Sequence, residues 1–175
     1  MSTLELKELS HPAGEVIKIA AGKTLDLKSQ GSVTMPTGSV LQVVQGTYAT
    51  LTTLATSSYT DLGLSATITP STTSSQILVM WTTQGKLASG LSNGWGCKLM
   101  RNTTAVYTDS VSHRTYGAST TGDIRLTTPV SYLDSPSTTS PITYKIQVST
   151  YSGASMNFND SGSETQITLM EIQGP

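Results

Sequence analysis

Apolar and polar positions alternate in short pairs that recur every eight residues over the first quarter of the chain. A period of two predicts strands, and units too short to bury their apolar side alone are expected to stack. We expect residues 1–38 to form an intertwined β-stem, in which three identical chains share an apolar axis. The residues predicted to line this axis are Ile17, Ile19, Leu25, Leu27, Val33 and Met35.

An earlier alternating pair, Leu4 and Leu6, lies outside the eight-residue phase, and His11-Pro12 follows it. An extended segment of this kind can add to the edge of a neighbouring sheet. We therefore interpret Leu4 and Leu6 as a candidate attachment strand.

From Val40 onward the predicted strands lengthen. Residues 59–69 alternate strictly, with Leu62, Leu64, Ala66 and Ile68 on one face. Residues 76–83 form a continuous apolar run, which predicts a central strand covered on both sides. Residues 95–101 and 105–109 predict a hairpin, and residues 113–122 a polar loop. Pro129 interrupts the next run and indicates an edge strand.

Eight or nine strands with frequent turns, and no helical period, predict an all-β fold. We expect residues 39–175 to form a jelly-roll β-sandwich, following the stem of residues 1–38. The predicted inner strands are residues 59–69, 76–83, 143–150 and 165–172. The stem makes the expected assembly a homotrimer.

Composition narrows the classes of function. The net charge is −1 and charged residues make up 12% of the chain, about half the usual share. We therefore expect neither nucleic acid nor an anionic membrane as partner. Thr and Ser make up 55 of the 175 residues, which suits strands and turns with polar faces. The first nine residues lack the apolar core of a secretory signal.

The candidate chemistry is sparse. The acidic residues are scattered, the two histidines lie in loop-like stretches, and the single cysteine, Cys97, lies in a strand pattern typical of a buried thiol. We predict no catalytic residue, no metal and no cofactor, and therefore no enzyme. Trp95, His113 and Tyr116 lie in or beside predicted loops and form a candidate face for a glycan or another partner, with rim packing as the alternative.

The segment from Gly38 to Ile172 resembles the C-terminal domain of small virion proteins of tailed bacteriophages, described as tail fibre or structural proteins. The resemblance covers about three quarters of the chain. Its stretches are residues 38–45, 58–71, 74–79, 99–102, 132–136, 143–147 and 167–172.

This resemblance implies a structural, trimeric component of the virion, assembled in the host cytoplasm, with no catalytic residues to transfer. Two placements follow from it. A capsid decoration (cement) protein would bind the major capsid protein and stabilise the head shell, whereas a tail fibre would attach to the host surface. A lectin-like module that binds a host surface glycan is the alternative from another class.

Overall fold

Strands make up most of the chain that the structure describes, which comprises residues 21–22, 35–87, 93–115 and 123–175 of a computed structural model. Two single 3₁₀ turns, Tyr151–Gly153 and Asp160–Gly162, lie between the last strands. The ten strands found in these ranges are β1 (Val40–Tyr48), β2 (Thr52–Leu54), β3 (Thr60–Ile68), β4 (Gln76–Leu87), β5 (Asn93–Arg101), β6 (Thr104–Thr115), β7 (Ile124–Asp134), β8 (Ile142–Thr150), β9 (Met156–Phe158) and β10 (Thr165–Ile172).

The strands form two antiparallel sheets. In sheet A, β4 pairs with β10 and β9 on one side and with β7 on the other, and β1 and β2 continue the sheet beyond β10 and β9. Sheet B has the order β3-β8-β5-β6. Without the short strands β2 and β9, the orders β1-β10-β4-β7 and β3-β8-β5-β6 are those of a jelly roll. The predicted all-β sandwich is confirmed, while the homotrimer stays a prediction.

Strand β3 illustrates how the sequence determines which side chains are buried. Leu62, Leu64, Ala66 and Ile68 all point into the sandwich, and the residues between them are exposed. A strand places alternate side chains on opposite faces, so one face joins the core and the other meets solvent. The predicted alternation of β3 is confirmed.

Aromatic side chains fill the centre between the sheets. Trp95 and Phe158 are fully buried, and their rings meet edge to face with centroids 6.0 Å apart. A Cβ atom at Gly85 would lie 2.8 Å from the Trp95 ring, so only glycine fits beneath the indole. Each such buried side chain contributes about 1.5–3 kcal/mol by removal from water.

Two expectations about strand position are wrong. Strand β4 is fully buried on one face only, because Leu78 and Met80 on its other face are only partly covered. Strand β3 lies at an edge of sheet B in the described residues, and β5 takes the inner position beside β8. The predicted inner positions of β4, β8 and β10 are confirmed.

Two further expectations concern the later strands. The loop predicted from residue 113 is wrong at its start, because the ladder between β5 and β6 continues and pairs His113 with Trp95. Within the described residues β7 pairs only with β4, and Pro129 lies opposite Thr82. The predicted edge strand is therefore confirmed.

Candidate interaction surface

An apolar row crosses the outward face of sheet A. Strand pairing places its members side by side on four adjacent strands. The two ends of the row are the most exposed, with Val43 at 55% and Leu133 at 47%, and the two middle residues are partly buried. The row runs Val43–Met170–Leu78–Leu133.

Uncharged residues continue this surface above and below the row. Val40, 52% exposed, pairs with Ile172 on one side. On the other side a shallow depression of about 300 Å³ opens beside Met80, lined further by Thr82, Pro129, Ser131, Gln166 and Thr168. We call this surface the apolar face; its residues are Val40, Val43, Gln45, Thr47, Gln76, Leu78, Met80, Thr82, Pro129, Ser131, Leu133, Gln166, Thr168, Met170 and Ile172.

The apolar face, with its polar residues included, is about as large as the largest apolar patch of a typical monomer. Four strands about 4.8 Å apart, with outward residues about 6.8 Å apart along each strand, cover roughly 500 Å² over four rows. The largest apolar patch of a typical monomer is about 300–600 Å², and patches of that size often mark binding sites. The apolar face carries no charged residue, so contact with another protein surface is what its chemistry supports.

The outward face of sheet B has the opposite character. Its corresponding row is polar, and Asp61 accepts hydrogen bonds from Lys145 at 2.8 Å and from Gln147 at 2.6 Å. The Lys98 ammonium lies 4.1 Å from the centre of the Tyr59 ring. This row runs Asp61–Gln147–Lys98–Thr108. The polar side chains of this face can form hydrogen bonds with one another and with water.

Glu171 is a fully buried carboxylate at the end of β10. It accepts hydrogen bonds from the backbone N–H of Ser71 at 2.6 Å, from the Ser75 hydroxyl at 2.6 Å and from the Gln42 amide at 2.6 Å. Burial raises its pKa, but these donors outweigh burial, and the pKa of Glu171 lies below its usual value. The group fixes the turn between β3 and β4, which is a structural task.

Asp134 joins the two sheets at another corner. It accepts a hydrogen bond of 2.6 Å from the Tyr144 hydroxyl and forms an ion pair of 3.0 Å with Arg101. Burial and the hydrogen bond to Asp134 raise the pKa of Tyr144 well above its usual value. The tyrosine therefore stays protonated, and its role here is that of a donor.

A third group of charges lies at the far end of sheet A. Arg125 donates to Asp160 at 2.6 Å, and Lys86 pairs with Asp123 at 2.7 Å. These groups neutralise one another at the surface. Among the described residues, no three His, Cys, Asp or Glu side chains cluster as metal ligands would, and no helix has the length and hydropathy of a membrane span.

The predicted glycan face is wrong at Trp95, which the structure places in the core. Trp95 is 0% exposed because its indole packs in the core against Phe158 and donates to the Thr83 hydroxyl at 3.4 Å. A stacking platform needs an exposed ring, so Trp95 does not belong to such a face. The side chain of His113 and the whole of Tyr116 lie outside the described residues, and a glycan face there stays a prediction.

The other predicted sites fall mostly outside the described chain. Leu4 and Leu6, the candidate attachment strand, lie there, as do five of the six residues of the predicted trimer axis: Ile17, Ile19, Leu25, Leu27 and Val33. Met35 is described, and the residue is 41% exposed. The trimer axis and the boundary between residues 38 and 39 stay predictions. Cys97 is buried, as its strand pattern indicated.

Comparisons with known proteins give a limited result. No family model matches the chain, and no curated protein matches it. Solved structures of infectious bursal disease virus are similar: the Gx strain structure (16% identity, TM-score 0.48, 86% of this chain), a T13 viral particle (16%, 0.47, 87%) and a VP2 subviral particle (17%, 0.44, 87%). The chain spans only 37–40% of the length of these chains. Similarity at this level does not determine function.

Proposed function

We propose that this protein is a non-enzymatic structural protein of a tailed-phage virion, a homotrimeric decoration protein that binds the major capsid protein and stabilises the head shell. The observation that carries the proposal is the jelly-roll β-sandwich that follows the predicted trimeric stem. The resemblance of residues 38–172 to small phage virion proteins supports the same role.

The mechanism rests on multivalency. Three chains held by the predicted stem present three copies of each weak contact to the shell at once. Once the first contact forms, the others form at a high effective concentration, so the overall affinity far exceeds that of one contact. Binding the assembled shell more tightly than its separated subunits raises the resistance of the particle to heat.

The test is binding of purified full-length protein to capsids that lack it, with light scattering of the free protein. We expect protein built of trimers, single or associated, that saturates the capsids and raises the temperature at which they open. Protein that ignores capsids but binds host cells would overturn decoration in favour of a tail fibre. Affinity for a soluble glycan in isolation, without capsid binding, would favour the lectin-like module.

The trimer has its own test. Ile17→Asp places like charges around the predicted axis, where the desolvation of unpaired carboxylates opposes assembly. We expect loss of the trimer and a large loss of capsid binding. Leu25→Asp should behave in the same way, and a monodisperse trimer from either variant would contradict the stem.

A further inference from the structure

We infer that the apolar face of sheet A is a contact between two copies of this chain, related by a two-fold axis. The pairing goes beyond the proposed function, because it uses a different surface and a different symmetry from the predicted stem. A two-fold contact between stem-held trimers would link one trimer to the next across the shell.

The chemistry of the apolar face restricts its partner. A nucleic acid or an acidic peptide would find no cation there. The occupant has to be neutral, partly apolar and flat. Among the described surfaces of this molecule, one has these properties at matching size, which is the same face on a second copy.

The area of such a pair reaches the lower limit for a specific interface. Two faces of about 500 Å² each remove about 1,000 Å² from water, at the threshold for a specific protein interface. An added strand or a short glycan would cover only part of this surface. A second copy covers it completely, and packing of one sheet on another is the arrangement already used between sheets A and B.

The order of residues in the row suits two-fold packing. An axis parallel to the strands and passing through the middle of the row sets Val43 of one copy against Leu133 of the other. The same axis sets Met170 against Leu78. Each contact then occurs twice, as an isologous interface requires. The most exposed residues of each copy meet one another.

The first experiment is sedimentation analysis of the full-length protein and of Leu133→Glu. We expect wild type to form species heavier than the trimer, in steps of the trimer mass. Leu133→Glu should remain trimeric, with pairing weakened at least about 100-fold by the unpaired buried carboxylate. The matched control is Thr108→Glu, which adds the same charge at the exposed end of the row on sheet B and should pair like wild type.

A charge swap tests the geometry. Val43→Lys and Leu133→Glu should each fail to pair alone, whereas their mixture should pair because the ammonium introduced in one copy faces the carboxylate introduced in the other. Rescue by mixing requires residues 43 and 133 to face each other across the interface. Variants that had simply lost their structure would not regain pairing when mixed. Circular dichroism checks that each variant is folded. If Leu133→Glu does not fold, Val43→Glu replaces it in the sedimentation experiment.

The outcomes separate this inference from the proposed function. Ile17→Asp protein that forms dimers supports the pairing without the stem. Wild-type protein that binds capsids as a trimer but never pairs, or Leu133→Glu that pairs like Thr108→Glu, would overturn the inference and leave decoration intact. Pairing that persists in a protein without affinity for capsids would overturn decoration alone.

Discussion

The two outward faces of the sandwich are built on the same kind of antiparallel ladder but carry opposite chemistry. Across sheet B the row is Asp61–Gln147–Lys98–Thr108, and Lys145 pairs with Asp61 beside it. Across sheet A the row is Val43–Met170–Leu78–Leu133. A solvent-facing sheet usually alternates apolar inside with polar outside. Sheet B follows that rule and sheet A departs from it, and this difference is the observation behind the proposed pairing of sheet A with a second copy.

The largest loss of stability should come from a substitution that forces the two sheets apart. A Cβ atom at Gly46 on β1 would overlap the carbonyl oxygen of Ser65 on β3. We expect Gly46→Ala to lower the free energy of unfolding by about 3 kcal/mol, because backbone atoms must move to accept it. Urea denaturation measures the loss.

The control for this substitution is its neighbour. Thr47 is exposed on the outward side of the same strand, so Thr47→Ala should change stability by no more than about 0.5 kcal/mol. Equal stabilities of the two variants would mean that the sheets do not approach one another at β1 and β3 as described.

A smaller effect should come from the charge inside sheet A. We expect Glu171→Gln to cost about 2 kcal/mol at neutral pH, because a neutral amide leaves some of the donors around it poorly paired. Since the pKa of Glu171 is lowered on folding, its stabilisation is full above the unfolded pKa and is lost as pH falls through the lowered folded pKa.

Urea denaturation at neutral and acidic pH tests this sign. The difference between wild type and Glu171→Gln should shrink in acid. Glu164→Gln is the matched control, since Glu164 is exposed and should change stability little at neutral pH. A difference that grows in acid would contradict the assignment of Glu171 as a stabilising carboxylate.

The smallest effect is expected on the outward face of sheet B. Burial raises the pKa of Asp61, but the hydrogen bonds from Lys145 and Gln147 outweigh burial. The pKa of Asp61 therefore lies below its usual value. Asp61→Asn should cost about 0.5 kcal/mol, because exposed ion pairs contribute little. The loss should disappear at about 1 M salt, where the Debye length is about 3 Å, and also in acid below the lowered folded pKa.

Thr67→Val provides the uncharged comparison on the same strand. The Thr67 hydroxyl lies 2.8 Å from that of Thr143, and no ion takes part. Its effect on the unfolding free energy should be independent of salt. Equal salt dependence of Asp61→Asn and Thr67→Val would remove the electrostatic distinction between the two faces.

Local patterns in the sequence were sufficient for much of the fold. The alternation in β3, the hairpin at Asn102 and the edge position of Pro129 each depend on near neighbours in the chain, and each was predicted correctly. The inside or outside position of Trp95 was not predictable from the adjacent glycines. Those glycines suggest a loop, but Gly96 lies close to the backbone of Asp109 and Ser110 on β6, and the more distant Gly85 gives the Trp95 ring its space in the core.

The apolar face could not be predicted from the sequence. Its row joins residues 43, 170, 78 and 133, which come together only through three strand pairings and their registers. The continuous apolar run of β4 was the available signal. It predicts a central strand covered on both sides, whereas Leu78 and Met80 remain partly exposed in the single chain.

Pro129 has a consequence for the way in which copies of this chain assemble. A proline offers no amide hydrogen, so the outer edge of β7 makes a poor template for a further strand. Growth of sheet A from one molecule into the next would otherwise lead to open-ended fibres. With that edge unsuited to extension, sheet A is protected at β7 against edge-to-edge pairing with another copy of the chain.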